Sequence, residues 1–178
     1  MSALVLRPAR VRDVPVLERL VSDVLEETFR PIAPTLTARL VAEAFPADWL
    51  SGDWPGLTVA ELDGRPIGLV ETVGDRLTEL WVAISARRRG VGSALLACGE
   101  RRIAALGHRR AWLTVLADNR RARAFYRSHG WVEVAVRAHP SSGIPTIEMH
   151  RRLGPVGMPG TDDAHALPQS NLRPKGSR

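Results

Sequence analysis

Residues 86–96 read ARRRGVGSALL: three consecutive arginines (Arg87, Arg88, Arg89), then Gly90 and Gly92 flanking Val91, then Ser93 at the head of an apolar run. These residue types at this spacing suit an anion. A helix N-terminus offers unpaired amides and about half a positive charge, which favours phosphate. Glycine lets those amides approach a ligand oxygen closely, arginine matches phosphate geometry, and Ser93 adds a hydroxyl donor. The competing reading is a basic surface turn ahead of an ordinary helix. Two nucleotide motifs are excluded. A P-loop ends in Gly-Lys-Ser/Thr, which is absent here, and a dinucleotide fingerprint needs a third glycine where Leu95 stands.

Other chemistry-bearing residues are few. Glu71 and Glu79 fall on consecutive strand-like segments, and Tyr126 is the only tyrosine. Cys98, the single cysteine, cannot form an internal disulfide or a multi-cysteine zinc site. Inside a helical run it reads as packing rather than a nucleophile. His108, His129, His139 and His150 fit no metal-ligand spacing or triad and read as surface or structural residues, so no metal is expected.

The elements that must position these residues follow from periodicity. ALVLRPA reads as a first strand. RDVPVLERLVSDVLEETF reads as a helix, with Asp13 as N-cap and Pro15 in the first turn. TLTARLVAEAF is a shorter helix, and the turn-rich ADWLSGDWPG carries Trp49 and Trp54. LTVAEL, IGLVETVG and LTELWVAIS are three antiparallel strands, the first two joined at Asp63-Gly64, a strong hairpin signal. GVGSALLACGERRIAALG is a helix with Leu96, Gly99, Ile103 and Leu106 on one face and Gly107 as its stop. RRAWLTVLA is a strand, DNRRARAFYRSHG a helix, and WVEVAVRA and IPTIEMHRRL are the last strands. The order β-α-α-β-β-β-α-β-α-β-β describes an α/β (α+β) fold, a mixed sheet with flanking helices and one parallel crossover over residues 77–116. Residues 1–153 form one domain. Residues 154–178, rich in Gly and Pro and without periodicity, read as a disordered tail.

Of 178 residues, 44% are apolar and 25% charged, as in a soluble globular domain. No apolar run approaches the roughly 20 residues that span a bilayer. The start MSALVLRPARVRD has too short an apolar patch for a signal peptide, so a cytoplasmic location is expected. The net charge of +6 is uneven: residues 1–84 carry −5 and residues 85–178 carry +11. A basic half fits a polyanion and an acidic half a cationic partner. Arginine-rich composition alone would also explain the excess.

The run Arg87-x-x-Gly90-x-Gly92 between strand and helix resembles the acetyl-CoA pyrophosphate motif of the Gcn5-related N-acetyltransferase (GNAT) superfamily. DNRRARAFYRSHGWVEV resembles its second signature through Asn119, Ala122, Phe125, Tyr126, Gly130 and Trp131. LRPARVRDVPVL is similar to its first strand and helix, so the likeness spans about residues 3–153. The resemblance implies acetyl transfer from acetyl-CoA to a primary amine. Backbone amides around Arg88 to Ser93, with Arg87, Val91 and Gly92, would hold the pyrophosphate. The backbone of Leu80, Trp81, Val82, Ala83 and Ile84 would pair with the cofactor's arm in a slot opened where residues 111–116 splay away.

By the same resemblance Tyr126 is the general acid for the thiolate, and Glu79, then Glu71, are candidate bases. Asn119 would contact the arm, with a helix N-cap as the equal alternative. Phe125 and Ala122 would flank the cofactor, Phe125 also reading as core. The acceptor side would be built by the first two helices, their loop and residues 137–146. Glu26, Glu27, Glu43, Asp48 and Asp53 with Trp49 and Trp54 suggest a small cationic amine, or else simply a solvated acidic face. A protein N-terminus or lysine stays open as acceptor. So do a non-catalytic acetyl-CoA sensor and, less favoured for want of any motif, a nucleic-acid binder. No membrane partner is implied, and a homodimer is allowed.

Overall fold

The computed structural model describes residues 3–42, 54, 56–140 and 142–154. These residues form seven strands: β1 (Leu4–Pro8), β2 (Leu57–Leu62), β3 (Arg65–Val73), β4 (Arg76–Val82), β5 (Arg110–Leu116), β6 (Val132–Ala138) and β7 (Pro145–Arg152). The helices are α1 (Val14–Val24), α2 (Pro34–Ala42), α3 (Val91–Ala105) and α4 (Arg120–Ser128). One sheet runs β1-β2-β3-β4-β5-β7-β6, antiparallel except between β4 and β5. This is the mixed, mostly antiparallel sheet with a single parallel crossover that the element order implied. Among the described residues no helix is long and apolar enough to cross a membrane.

Period-2 alternation divides the core between the two faces of the sheet. Leu57, Val59 and Leu69 meet Leu17, Leu20, Val21 and Val24 of α1 on one face. Val70 and Leu77 meet Leu95, Leu96 and Ile103 of α3 on the other. Leu106, expected on that face, is 59% exposed because α3 ends at Ala105. Gly68 of β3 is hemmed in by both β4 and α3: a Cβ there would lie 2.8 Å from the Trp81 carbonyl oxygen of β4 and 2.9 Å from Leu95 Cδ1 of α3. The β2–β3 turn has Asp63 and Gly64 at φ 51° and 77°, the backbone of the tight hairpin that Asp-Gly signals.

The first helix departs from expectation at both ends. A 3₁₀ turn over Val11–Asp13 precedes it, and Asp13 is not its side-chain cap. The Asp13 carboxylate instead accepts the Arg10 N–H at 2.8 Å and a bidentate pair from Arg7 at 2.7 and 2.8 Å. Arg7 also donates to Glu61 at 2.7 Å, which ties the helix start to β1 and β2. A buried carboxylate needs such a partner, and Arg7 holds Asp13 below the usual carboxylate range. At the other end the α-helix stops at Val24 and widens into a π-helical turn, Leu25–Phe29, a geometry frequent at functional sites. Strand β4 also ends early: Ile84–Ala86 is a 3₁₀ turn, so Ala83 and Ile84 follow the strand rather than extend it. Glu43, Asp48, Trp49, Asp53 and residues 155–178 lie outside the described residues.

Candidate active site

β4 and β5 share one register pair, Arg76↔Trp112. Beyond it their residues line a cavity of about 840 Å³, bounded by Arg76 to Val82, Leu113 to Leu116, and Ala122, Phe125 and Tyr126 of α4. The register explains which backbone groups face this slot. Glu71 pairs with Glu79 but Thr72 pairs with Leu77, so Thr78 is an extra residue, a bulge of the kind that re-aims a strand. Ala83 N donates to Ile67 O at 2.9 Å. By the alternation of an antiparallel ladder, Trp81 and Ala83 turn their backbone groups to β3, and Leu80 and Val82 turn theirs to the slot. Of the five residues expected to offer backbone there, two do so from the strand.

The glycine turn lies at one end of the slot. Arg88 has φ 63° and Gly90 φ 79°. A left-handed arginine is a strained position of the sort that gathers at ligand sites, and left-handed residues in such turns curl the backbone into an anion-binding concavity. Gly90 caps α3 without a side-chain bond, which leaves the amides of Val91, Gly92 and Ser93 without a capping group. A Cβ on Gly92 would reach the Phe125 ring at 3.5 Å and Val82 Cγ2 at 3.7 Å, so glycine keeps this stretch of wall open. Arg88, Gly90, Gly92 and Ser93 line the slot, while Val91 is buried in the core and Arg89 is exposed.

Two expectations change at this turn. Arg87 does line the slot, but its guanidinium reaches across to Glu27 Oε2 at 2.5 Å and to Thr28 Oγ1 at 3.1 Å, joining the turn to the π-helical segment. Ser93 Oγ lies 2.9 Å from His129 Nε2, and His129 Nδ1 lies 2.8 Å from the Phe125 carbonyl. Ser93 Oγ therefore has a partner within the protein, and His129 ties the end of α4 to the first turn of α3.

Glu79 and Tyr126 face the same cavity. Glu79 Oε2 accepts the Trp81 indole N–H at 2.5 Å. Burial pushes its pKa up to about 7; the Trp81 bond works against that shift, the Glu71 charge adds to it and Arg76 opposes it. Tyr126 is 8% exposed, with ring centroids 5.3 Å from Phe125 and 5.9 Å from Trp131. Burial, with a contribution from Glu79, raises its pKa and keeps the phenol protonated. Glu71 sits opposite Glu79 in the ladder, accepts from Thr78 Oγ1 at 2.6 Å, and is not among the residues lining the cavity. Asn119 lines the slot and caps α4, its Oδ1 accepting Ala122 N–H at 3.1 Å.

At the far end the lining comes from Val24, Phe29, Leu36, Trp81 and Leu116, joined by His139 and Thr146 from the expected 137–146 region. The roles of Phe29 and Leu36 were not read from sequence; both repeat at helical spacing, but only the π turn aims Phe29 at Trp81, 5.6 Å between centroids. Glu26 and Glu27, expected to attract a cation, are held by Arg30 and Arg87. Among the described residues no cluster of His, Cys, Asp and Glu could hold a metal, and Cys98 is half-buried.

The sequence matches the acetyltransferase (GNAT) family over residues 19–131; among curated proteins there is no match. Solved structures share the fold. A GCN5-related N-acetyltransferase from Rhodopseudomonas palustris aligns over 86% of this chain and 98% of its own, at 23% identity and TM-score 0.70. PaiA N-acetyltransferase from Thermoplasma acidophilum, in complex with coenzyme A, aligns over 84% and 99% at 17% identity and TM-score 0.68. The ribosomal-protein-S18-alanine N-acetyltransferase of Escherichia coli aligns over 92% and 100% at 19% identity and TM-score 0.58. With the family signatures seated on a sheet that parts between β4 and β5, the chain belongs to the acetyltransferase (GNAT) family of enzymes.

Proposed function

We propose that the protein transfers an acetyl group from acetyl-CoA to a small primary amine by direct attack within a ternary complex. The observation that carries this reading is the pairing, in one slot, of a carboxylate poised near neutrality with a phenol held protonated. The residues present fit acetyl-CoA. The uncapped amides at the start of α3 and the Arg88–Gly90 turn suit its pyrophosphate, and the open backbone of Leu80 and Val82 suits its amide-bearing arm. Gly92 leaves the room a Cβ would fill. When bound, acetyl-CoA supplies the acetyl group as a thioester.

Chemistry for this chain is proton management. An ammonium has no lone pair, so Glu79, directly or through a water, takes a proton from it before the C–N bond forms. A base with a pKa near the working pH does this best. Tyr126 gives its proton to the departing sulfur as the C–S bond breaks, and solvent then resets both groups. Glu71 supports Glu79 from the neighbouring strand by raising its proton affinity. The cavity of about 840 Å³ includes the space assigned to acetyl-CoA and lies in the range of small-molecule sites, roughly 300–1,000 Å³.

The test is thiol release from acetyl-CoA against amines, amino acids, aminoglycosides and peptides, alongside calorimetric binding of acetyl-CoA. Turnover with at least one small amine is expected. Tight binding with no turnover on any class refutes the enzymatic reading in favour of a sensor.

A further inference from the structure

The acceptor end of the slot has a composition the acidic N-terminal half does not foretell. Of the described residues lining the cavity, Glu79 is the only carboxylate, whereas Arg76, Arg87, Arg88 and Arg121 also line it. The two glutamates nearest that end, Glu26 and Glu27, form ion pairs with Arg30 and Arg87, so neither offers an unpaired charge. Among the described residues, the rest of that end is mainly apolar, with His139 and Thr146 beside it. Leu36 and Leu116 are 3% and 7% exposed and pack in one cluster with Ala33, and Phe29 packs against it. Phe29 also stacks obliquely on Trp81, whose indole holds Glu79. Among the described residues, a substrate amine reaching Glu79 therefore meets one negative charge at its head and mainly hydrocarbon along its body.

We propose that the acceptor is a small primary monoamine with an apolar body, aliphatic or aromatic, its amine at Glu79 and its body against Phe29, Leu36 and Leu116. This deepens the proposed function and rests on it. A polyamine or aminoglycoside needs a carboxylate for each further ammonium, because an uncompensated charge against apolar walls is strongly disfavoured. The described lining offers no second carboxylate for such a charge. A monoamine places its one charge at the one acid and removes its apolar surface from water, the larger and non-directional gain.

The experiment measures kcat/KM in the thiol-release assay for hexylamine and 2-phenylethylamine against spermidine, kanamycin and a peptide with a free N-terminal alanine. The monoamines are expected to exceed every other acceptor by at least about tenfold, the scale on which a hydrophobic pocket discriminates. In Phe29→Ala the KM for 2-phenylethylamine rises about tenfold while the KM for acetyl-CoA stays unchanged. Preference for spermidine, kanamycin or the peptide overturns the inference while leaving acetyl transfer intact. So does a Phe29→Ala variant that alters both KM values equally. Silence across the whole panel instead removes the proposed function, and this inference with it.

Discussion

Replacing Glu79 by Gln separates a buried base from a structural carboxylate. In the native chain burial moves Glu79 from 4.5 to about 7. A displacement of that size corresponds to roughly 3 kcal/mol between the two protonation states. Its sign follows from proton counting. Between pH 4.5 and about 7 the folded protein keeps a proton that the unfolded chain has released, so stability falls as pH rises through that window. Above pH 7 the full cost of the buried charge is present. Glutamine never ionises and can still accept the Trp81 N–H. Glu79→Gln is therefore about as stable as the native protein at pH 4.5 and up to roughly 3 kcal/mol more stable at pH 8. At this chain length that is a gain of roughly 6–12 °C in Tm. Turnover falls in the opposite direction, by about 10²–10⁴-fold for a lost general base. Native kcat/KM climbs with pH up to about 7 and then levels, and the variant lacks this limb. Thermal unfolding followed by circular dichroism at pH 4.5 and 8, with thiol release across pH 5.5–8.5, reads both effects. Equal Tm changes at the two pH values together with an unaltered rate profile would refute the argument.

Tyr126→Phe keeps the ring contacts with Phe125 and Trp131 and removes only the hydroxyl. Turnover is expected to fall by about 10²-fold or more with acetyl-CoA affinity unchanged by calorimetry; unaltered turnover takes Tyr126 out of the acid role. Gly92→Trp fills the slot beside Phe125 and Val82 and abolishes acetyl-CoA binding while the circular dichroism spectrum stays native. Gly68→Ala drives a Cβ to 2.8 Å from the Trp81 carbonyl oxygen, a backbone atom that cannot move aside cheaply. Overpacking of this kind costs about 1–3 kcal/mol and is read as a Tm several degrees lower.

Local chemistry made much of this protein legible in one dimension. Asp63-Gly64 allows the left-handed pair of a tight hairpin, and the apolar spacing of Leu95, Leu96 and Ile103 buries one helix face. The glycines at 90 and 92 mark a helix entrance with bare amides. Each is a property of a residue and its near neighbours, so the strand order along the chain and the glycine turn could be read directly. Where a long side chain ends is not such a property. Arg87 looked like a phosphate ligand, yet it crosses 60 positions of sequence to Glu27; Ser93 looked like a free donor, yet a helix 36 residues away brings His129 to it. Glu27 looked free to attract a cation, yet the fold sets Arg87 against it. Only the tertiary structure decides which charges are neutralised and which carboxylate is desolvated, because both depend on contacts between distant segments. Glu71 and Glu79 are alike in sequence and lie side by side in the ladder. Glu79 alone of the two lines the slot, and the proposed base follows from that placement.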